Sequence, residues 1–286
     1  MLIAGFSDTE SLGKRIARAL KADYTKISAK DFPDGEFHVQ LKKNPKHNTV
    51  VIISSLTGDP DEKIIETILA GGIAKDYGAK KVILVATYLP YMRQDRHFKK
   101  YDSFSAKHII KLFGIFDRIY AVDPHLHRIA RLNRLSHKAE KIGVIRLIAD
   151  FLEKKYKGEF NIVGPDEESS QWSSEVAKIL KKKVIILKKK RFSSWRVKIA
   201  EKPLGKRIII IDDIISTGKT LAEALKMAKK QGAEKIICIG IHGILVKGAA
   251  EKITKYAELI TTNSIPNKYA KIDISPAIAD VLKKYR

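Results

Sequence analysis

The chain has 286 residues, 44% of them hydrophobic, and a formal net charge of +23. That length allows one large or two medium domains with apolar cores, and no apolar run reaches the roughly 20 residues of a membrane-spanning helix. A charge this high fits nucleic acid, a membrane surface or polyanionic small substrates, although lysines interleaved with glutamates along the whole chain also describe a solvated, heat-adapted surface.

The single cysteine, Cys238, rules out an intramolecular disulfide and suits a reducing cytoplasm, with a small buried apolar residue as its expected role. The first residues, MLIAGFSDTESLGKR, lack the basic-then-apolar order of a signal peptide, so a cytoplasmic location is expected.

In chain order, a strand at 2–6 precedes a helical pattern at 9–20. Asp31-Phe-Pro-Asp-Gly-Glu36 reads as a Pro/Gly hairpin turn leading into a strand at 38–41. Its other reading is chemical: Phe32 stacks on a purine while Asp34 and Glu36 accept hydrogen bonds from its amino group or ribose. A buried strand at 50–54, a helix at 61–77 and a second buried strand at 81–86 follow. They lead to Tyr88-Leu-Pro-Tyr-Met-Arg-Gln-Asp-Arg96. Ligands of open α/β sheets sit beyond the carboxyl ends of strands. Arg93 and Arg96 are therefore placed for bidentate phosphate contacts, with a plain polar loop as the alternative.

A helix at 105–113 and a strand at 118–122 bring the chain to Asp123-Pro-His125. His125, just past a strand end, is a candidate Mg²⁺ or phosphate contact, although Mg²⁺ prefers oxygen. His127 reads as a surface residue. No C-x-x-C or H-E-x-x-H pattern occurs, and no zinc site is expected.

The same rhythm then repeats, with strands at 161–163, 183–187, 207–211, 235–240 and 258–261 and helices at 169–180, 220–231 and 248–254. Strands alternating with helices imply an α/β fold with mostly parallel sheets. Two similar domains are expected, 1–143 and 144–286, with a helical tail at 278–285 able to fold back on the first.

In the second half, Asp166 of Gly164-Pro-Asp-Glu-Glu-Ser-Ser170 is a candidate metal or hydroxyl ligand. Glu167 and Glu168 read as first-turn acids of the next helix. Lys181–Arg191 holds seven basic residues in eleven and no acid. Its extension, Lys188-Lys-Lys-Arg-Phe-Ser-Ser-Trp-Arg196, has two readings. One is a nucleic-acid strip, the other a lid that neutralises a charged phosphate transition state.

Arg207-Ile-Ile-Ile-Ile-Asp-Asp-Ile-Ile-Ser-Thr-Gly-Lys-Thr220 says the most. Four isoleucines make a buried strand, two acids sit where it should end, and a hydroxyl/glycine turn opens a helix near Leu221. Free N–H groups and a positive dipole at that helix end suit a phosphate, and the acids suit vicinal hydroxyls. Gly218-Lys219-Thr220 imitates the end of a Walker A loop, but its first glycine would fall at Asp213, so the match fails.

Taken together, these motifs resemble the ribose-phosphate pyrophosphokinases, the phosphoribosyl pyrophosphate (PRPP) synthetases, over essentially the whole chain and in the family's order. Phe32-Pro-Asp-Gly-Glu36 is similar to the ATP loop, Arg93-Gln94-Asp95-Arg96 to the second ATP segment, and Asp123-Pro-His125 to the metal motif. Lys189 and Arg191 match the catalytic loop, and 211–220 match the ribose-phosphate loop. The resemblance implies two phosphoribosyltransferase-like domains and pyrophosphoryl transfer from MgATP to the 1-hydroxyl of ribose 5-phosphate, giving PRPP and AMP.

It further implies ATP contacts from Phe32, Asp34, Gly35, Glu36, Arg93, Gln94, Asp95 and Arg96, and Mg²⁺ near His125 and Asp166. Ribose 5-phosphate falls to Arg191, Asp212, Asp213, Ser216, Thr217, Gly218, Lys219 and Thr220. A homo-oligomer built from dimers, with the ATP site shared between subunits, is implied too, without membrane or nucleic-acid partners. Ser216 and Lys219 depart from the commoner Asp-Thr-Gly-Gly-Thr loop, in the manner of archaeal-type members. A PRPP-consuming phosphoribosyltransferase shares the 212–220 loop but needs neither ATP segment. A catalytically silent or RNA-binding protein of this fold is the other alternative.

Overall fold

The computed structural model describes residues 1–192, 195–199 and 203–286; at 189–192 and 195–199 it describes the backbone alone. Two compact units emerge: residues 1–143 with 264–266 and 274–286, and residues 144–263 with 267–273.

The first unit starts with β1 (Leu2–Gly5), α1 (Glu10–Leu20), β2 (Asp23–Asp31) and β3 (Phe37–Leu41). It continues with β4 (Thr49–Ser54), α2 (Pro60–Asp76), β5 (Lys81–Ala86), α3 (Ser105–Leu112), β6 (Arg118–Val122) and β7 (Ala139–Ile142). The sheet order is β3-β2-β1-β4-β5-β6-β7. All neighbours are parallel except the β2–β3 hairpin. Thr-Val-Val-Ile-Ile-Ser in β4 and Lys-Val-Ile-Leu-Val-Ala in β5 are buried on both faces, as central parallel strands require.

The second unit runs α4 (Ile145–Lys155), β8 (Asn161–Gly164), α5 (Ser170–Leu180), β9 (Val184–Ile186) and a hairpin of β10 (Lys188–Phe192) and β11 (Trp195–Ile199). It goes on through β12 (Arg207–Ile215), α6 (Lys219–Lys230), β13 (Lys235–Gly243), α7 (Ala249–Thr254), β14 (Glu258–Thr262) and β15 (Ala270–Ile272). Its sheet, β15-β14-β13-β12-β8-β9, is parallel throughout. The chain then returns to the first unit as α8 (Ser275–Leu282), which packs against α1. No helix among the described residues is long and apolar enough to cross a membrane.

The sequence expectation needs one correction of substance here. The strand expected to stop at Ile211 continues to Ile215, and its partner β13 continues to Gly243, so Asp212 and Asp213 lie within the strand rather than at its end. Glycine explains the extension. A Cβ on Gly240 would lie 2.6 Å from Cδ1 of Ile215, so only glycine leaves room for that side chain. The acids are tolerated because Oδ1 of each accepts a hydrogen bond from the next residue's N–H, at 3.1 Å for Asp212 and 2.9 Å for Asp213.

The same strand-by-strand order is present twice. In each unit the first strand lies between the second strand and the strand that follows the hairpin, so the direction of winding reverses beside it: between β1 and β4 in one, β8 and β12 in the other. Such reversals are where open α/β sheets bind ligands.

Candidate functional site

In the second unit, the β12–α6 junction builds a concave turn. Asp212 and Asp213 are 9% and 4% exposed. Ser173 of α5 donates from Oγ to the Ile211 carbonyl at 3.1 Å and fixes the strand just ahead of the acids. Ser216 and Thr217 then turn to Gly218, the N-cap of α6, with φ +67° and no side-chain cap hydrogen bond. Gly218 is required twice over: its φ lies in the left-handed region, and a Cβ would sit 3.0 Å from the Ala249 carbonyl oxygen. Lys219 starts the helix, one or two residues ahead of the expected start. Its N–H reaches Thr217 Oγ1 at 3.4 Å and its side chain is exposed. The first turn of α6 carries no acid, so no carboxylate of its own offsets its positive end.

Across the winding reversal, β8 ends at Gly164 and Asp166 follows. Asp166 Oδ1 accepts from the Ser169 N–H at 3.1 Å, while Ser169 Oγ donates to the Asp166 carbonyl at 3.0 Å. Glu167 and Glu168 are exposed in the turn before α5, whose first turn holds no acid. They lie just ahead of the helix rather than in its first turn, in a turn held by the reciprocal Asp166–Ser169 bonds. The backbone at Lys189 and Arg191 lies in β10, paired with Lys198 and Arg196 of β11. Their side chains fall outside the described residues.

Cys238, the lone thiol, lies in β13 fully shielded from solvent, as a small core residue should. Burial, and then the nearby charge of Asp212, push its thiol well above the ordinary range.

In the first unit, 32–36 forms the tip of the β2–β3 hairpin. Phe32 N–H donates to the Glu36 carbonyl at 2.8 Å and Gly35 N–H to the Phe32 carbonyl at 2.9 Å. Asp34 Oδ1 accepts from Glu36 N–H at 3.2 Å, and Gly35 sits at φ +90°, where glycine is the natural choice. Phe32 is left 50% exposed, edge-on to His38 with centroids 6.3 Å apart. The hairpin and the presented aromatic ring coexist.

Beyond β5, Arg93, Gln94 and Arg96 are exposed. Gln94 Oε1 accepts from Ser105 Oγ, and the Arg96 guanidinium lies 5.0 Å from the Phe98 ring centroid. Asp95 is the exception to this exposure. Its side chain is fully buried and bonds to Arg128, with Oδ1 3.0 Å from the guanidinium and Oδ2 3.1 Å from the backbone N–H. Beyond β6, Asp123 is buried at φ +29°, its N–H donating to the Ile142 carbonyl at 2.9 Å and its carboxylate 3.1 Å from Lys141 Nζ. His125 is 8% exposed, and His127 is exposed as expected.

Arg128, Ser173 and His38 escaped the sequence reading. Asp95 and Arg128 stand 33 residues apart, and nothing local in the sequence announces such a pair. Among the described residues no group of three or more His, Cys, Asp or Glu side chains could hold a metal ion.

Against known proteins, a profile of the N-terminal domain of ribose phosphate pyrophosphokinase matches residues 1–116, and a phosphoribosyl transferase domain profile matches 133–275. The ribose-phosphate pyrophosphokinase of Pyrococcus furiosus is 34% identical over 92% of this chain and 94% of its own length. The chain belongs to the ribose-phosphate pyrophosphokinase family. The family member from Methanopyrus kandleri is 30% identical over 99% of both chains. The crystal structure of phosphoribosylpyrophosphate synthetase from Mycobacterium smegmatis superposes with a TM-score of 0.86 at 21% identity, covering 99% of this chain and 97% of that one. The two-domain α/β fold with mostly parallel sheets is therefore this pyrophosphokinase family's fold.

Proposed function

We propose that this protein is a ribose-phosphate pyrophosphokinase that transfers the β,γ-pyrophosphoryl group of ATP to the 1-hydroxyl of ribose 5-phosphate, releasing AMP. The observation that carries the reading is full-length kinship with proteins named for this activity, 34% identical over 92% of the chain in one case. The β12–α6 turn supports it: an acid pair below a glycine-capped helix end with no acid in its first turn.

In this reading Ser216, Thr217, Gly218, Lys219 and Thr220 wrap the 5-phosphate, and Asp212 and Asp213 hold the ribose 2- and 3-hydroxyls. Phe32 stacks on the adenine, with Asp34, Gly35 and Glu36 around it. Arg93, Gln94 and Arg96 contact the rest of the nucleotide. The reacting sugar oxygen forms a bond to the β-phosphorus as the bond from that phosphorus to the α,β-bridging oxygen breaks. The bridging oxygen leaves with AMP, and the proton of the 1-hydroxyl passes to solvent. Lys189 and Arg191 stabilise charge on the transferred group, since such transfers depend on positioning and neutralisation more than covalent catalysis.

Mg²⁺ bound with ATP supplies charge neutralisation on the phosphate oxygens. A magnesium ion that keeps its waters needs only one or two protein ligands beside substrate phosphates. The donor types at His125 and Asp166 fit that sparse demand, Asp166 with the harder oxygen. The shared ATP site of a dimer-built oligomer and a cytoplasmic location belong to the same proposal.

Purified protein given ribose 5-phosphate and MgATP should release AMP in step with ribose 5-phosphate consumption. A folded preparation that releases none would overturn the synthetase reading. PRPP consumption with a free base would point instead to a phosphoribosyltransferase.

A further inference from the structure

We infer that Asp95 and Arg128 are a positioning pair that holds the nucleotide segment 93–96 in place and ties it to the segment containing His125. The inference rests on the nucleotide reading above.

The exposure pattern is the first argument. Arg93, Gln94 and Arg96 are exposed, yet the Asp95 side chain between them is fully buried. A carboxylate is seldom buried unless a partner compensates it. Here the compensation is complete in kind: each Asp95 oxygen accepts one bond from Arg128, at 3.0 Å from the guanidinium and 3.1 Å from the backbone N–H. Charge-assisted bonds of this sort are about twice as strong as neutral ones and fix direction as well as distance.

Topology is the second. Asp95 follows β5 and Arg128 follows β6, neighbouring strands of one sheet. The pair therefore bridges the two loops at the carboxyl edge of that sheet, where ligands of such folds bind. Arg128 stands three positions beyond His125, so its backbone bond to Asp95 also fixes the exit of that segment.

An aromatic ring is the third. The Phe98 centroid lies 5.5 Å from the Arg128 guanidinium and 5.0 Å from that of Arg96. One ring thus gathers the positioning cation and a proposed phosphate-contacting cation. A guanidinium suits this double duty because it is planar and can stack while donating hydrogen bonds. Asp95 and Arg128 touch no substrate in this arrangement. Their effect reaches ATP through the backbone that carries Arg93, Gln94 and Arg96.

The test is steady-state AMP formation, with both substrates varied in turn. In Arg128→Ala and Asp95→Asn, KM for ATP should rise about tenfold while KM for ribose 5-phosphate stays within about twofold. Arg128→Lys, which keeps a charged donor, should recover a large part of the loss. The double variant Asp95→Asn/Arg128→Ala should be no worse than Arg128→Ala alone, because residues acting through one bond are not additive. Should Arg128→Ala fail to fold, the ratio of the two KM values in Arg128→Lys and Asp95→Asn carries the test.

Additive losses would mean that Arg128 meets the nucleotide directly, and would overturn the pair. So would a lowered melting temperature with both KM values unchanged. No AMP from the wild type would overturn the synthetase reading and the pair with it. Normal wild-type turnover with unaffected variants removes the pair alone.

Discussion

The two units wind their strands in the same order, yet they end their central strands differently. At the β4–α2 junction of the first unit, Ser54-Ser55-Leu56-Thr57-Gly58-Asp59 leads into the helix. Asp59 caps it, accepting from the N–H groups of Asp61 and Glu62 at 3.1 and 3.3 Å, and both of those residues add first-turn acids. The corresponding β12–α6 junction has glycine at the cap, a lysine in the first helical position and no first-turn acid.

One helix end is thus closed by its own carboxylates, and the other is left suited to an anion brought from outside. The acid pair shows the same reversal. Asp212 and Asp213 stand where the first unit has Ser54 and Ser55. A shared topology does not confer a shared site; the few residues at the strand–helix turn make one unit better suited to an anion than the other.

The hairpins repeat the contrast. In the first unit the tip carries Asp31, Asp34, Glu36 and an exposed Phe32, whereas β10 of the second is Lys-Lys-Lys-Arg-Phe. If the basic hairpin serves the transferred phosphates and the acidic one the nucleoside, their variants should separate. Lys189→Ala should lower turnover by about a hundredfold, the usual cost of one transition-state donor, with little change in KM for ATP. Phe32→Ala should do the opposite, raising KM for ATP by about tenfold, as loss of one base stack would. Equal effects on the same parameter would erase the distinction.

The helix ends give the next test. Lys219→Glu installs in α6 the first-turn acid that α2 already has. Reversing a charge beside a dianion at a helix end should raise KM for ribose 5-phosphate roughly fiftyfold. An unchanged KM would remove Lys219 from phosphate binding. On the other side, Asp59→Ala removes the α2 cap. It should cost about 1 kcal/mol of stability, read as a lower melting temperature, without altering either KM.

The smallest expected effect concerns acid. Asp117 in the first unit and Glu258 in the second are partly buried carboxylates held below their ordinary pKa. For Asp117 burial pushes upward, but the Val82 N–H at 2.7 Å and Lys75 at 3.2 Å outweigh it. For Glu258 burial is likewise outweighed by Tyr156 at 2.8 Å and by the Lys271 and Lys155 ammonium groups. A carboxylate with a lowered folded pKa contributes its full stability above the unfolded value, near pH 4, and loses it as pH falls through the folded value. Melting temperature should therefore drop on acidification below about pH 4, and less steeply in Asp117→Asn and Glu258→Gln. Parallel slopes in wild type and variants would deny these groups a role.

Much of this arrangement was legible in the residues. Two-faced apolar runs such as Val50–Ile53 and Ile208–Ile211 announce central strands, and α1, α2, α3 and α5 begin and end within a residue or two of expectation. The strand β2 was not legible. Asp-Tyr-Thr-Lys-Ile-Ser-Ala-Lys-Asp is largely exposed or half-buried, with Thr25 and Ile27 as its buried side chains, so no apolar run marks it. The edge strand β7 is a similar case, buried at Ala139 and Ile142. The helix α4 lacks a side-chain cap at Val144 that would signal its start.

At the site, the segments at 93–96 and 123–125 and Asp166 could be read because each follows a strand end. The extension of β12 past its acids could not, since it depends on Gly240 making room for Ile215 on a neighbouring strand. The burial of Asp95 depends in the same way on a partner far along the chain.

The placement of Cys238 makes the protein its own stopwatch. The only thiol in the chain sits in the middle of β13, sealed from solvent and disfavoured as thiolate. A thiol reagent can modify it only when that strand opens, because the thiolate is the reactive form and must first be reached. The rate of modification then counts opening events in the second unit alone, with no label to introduce and no competing cysteine to subtract. A ligand that grips the β12–α6 turn should slow that rate.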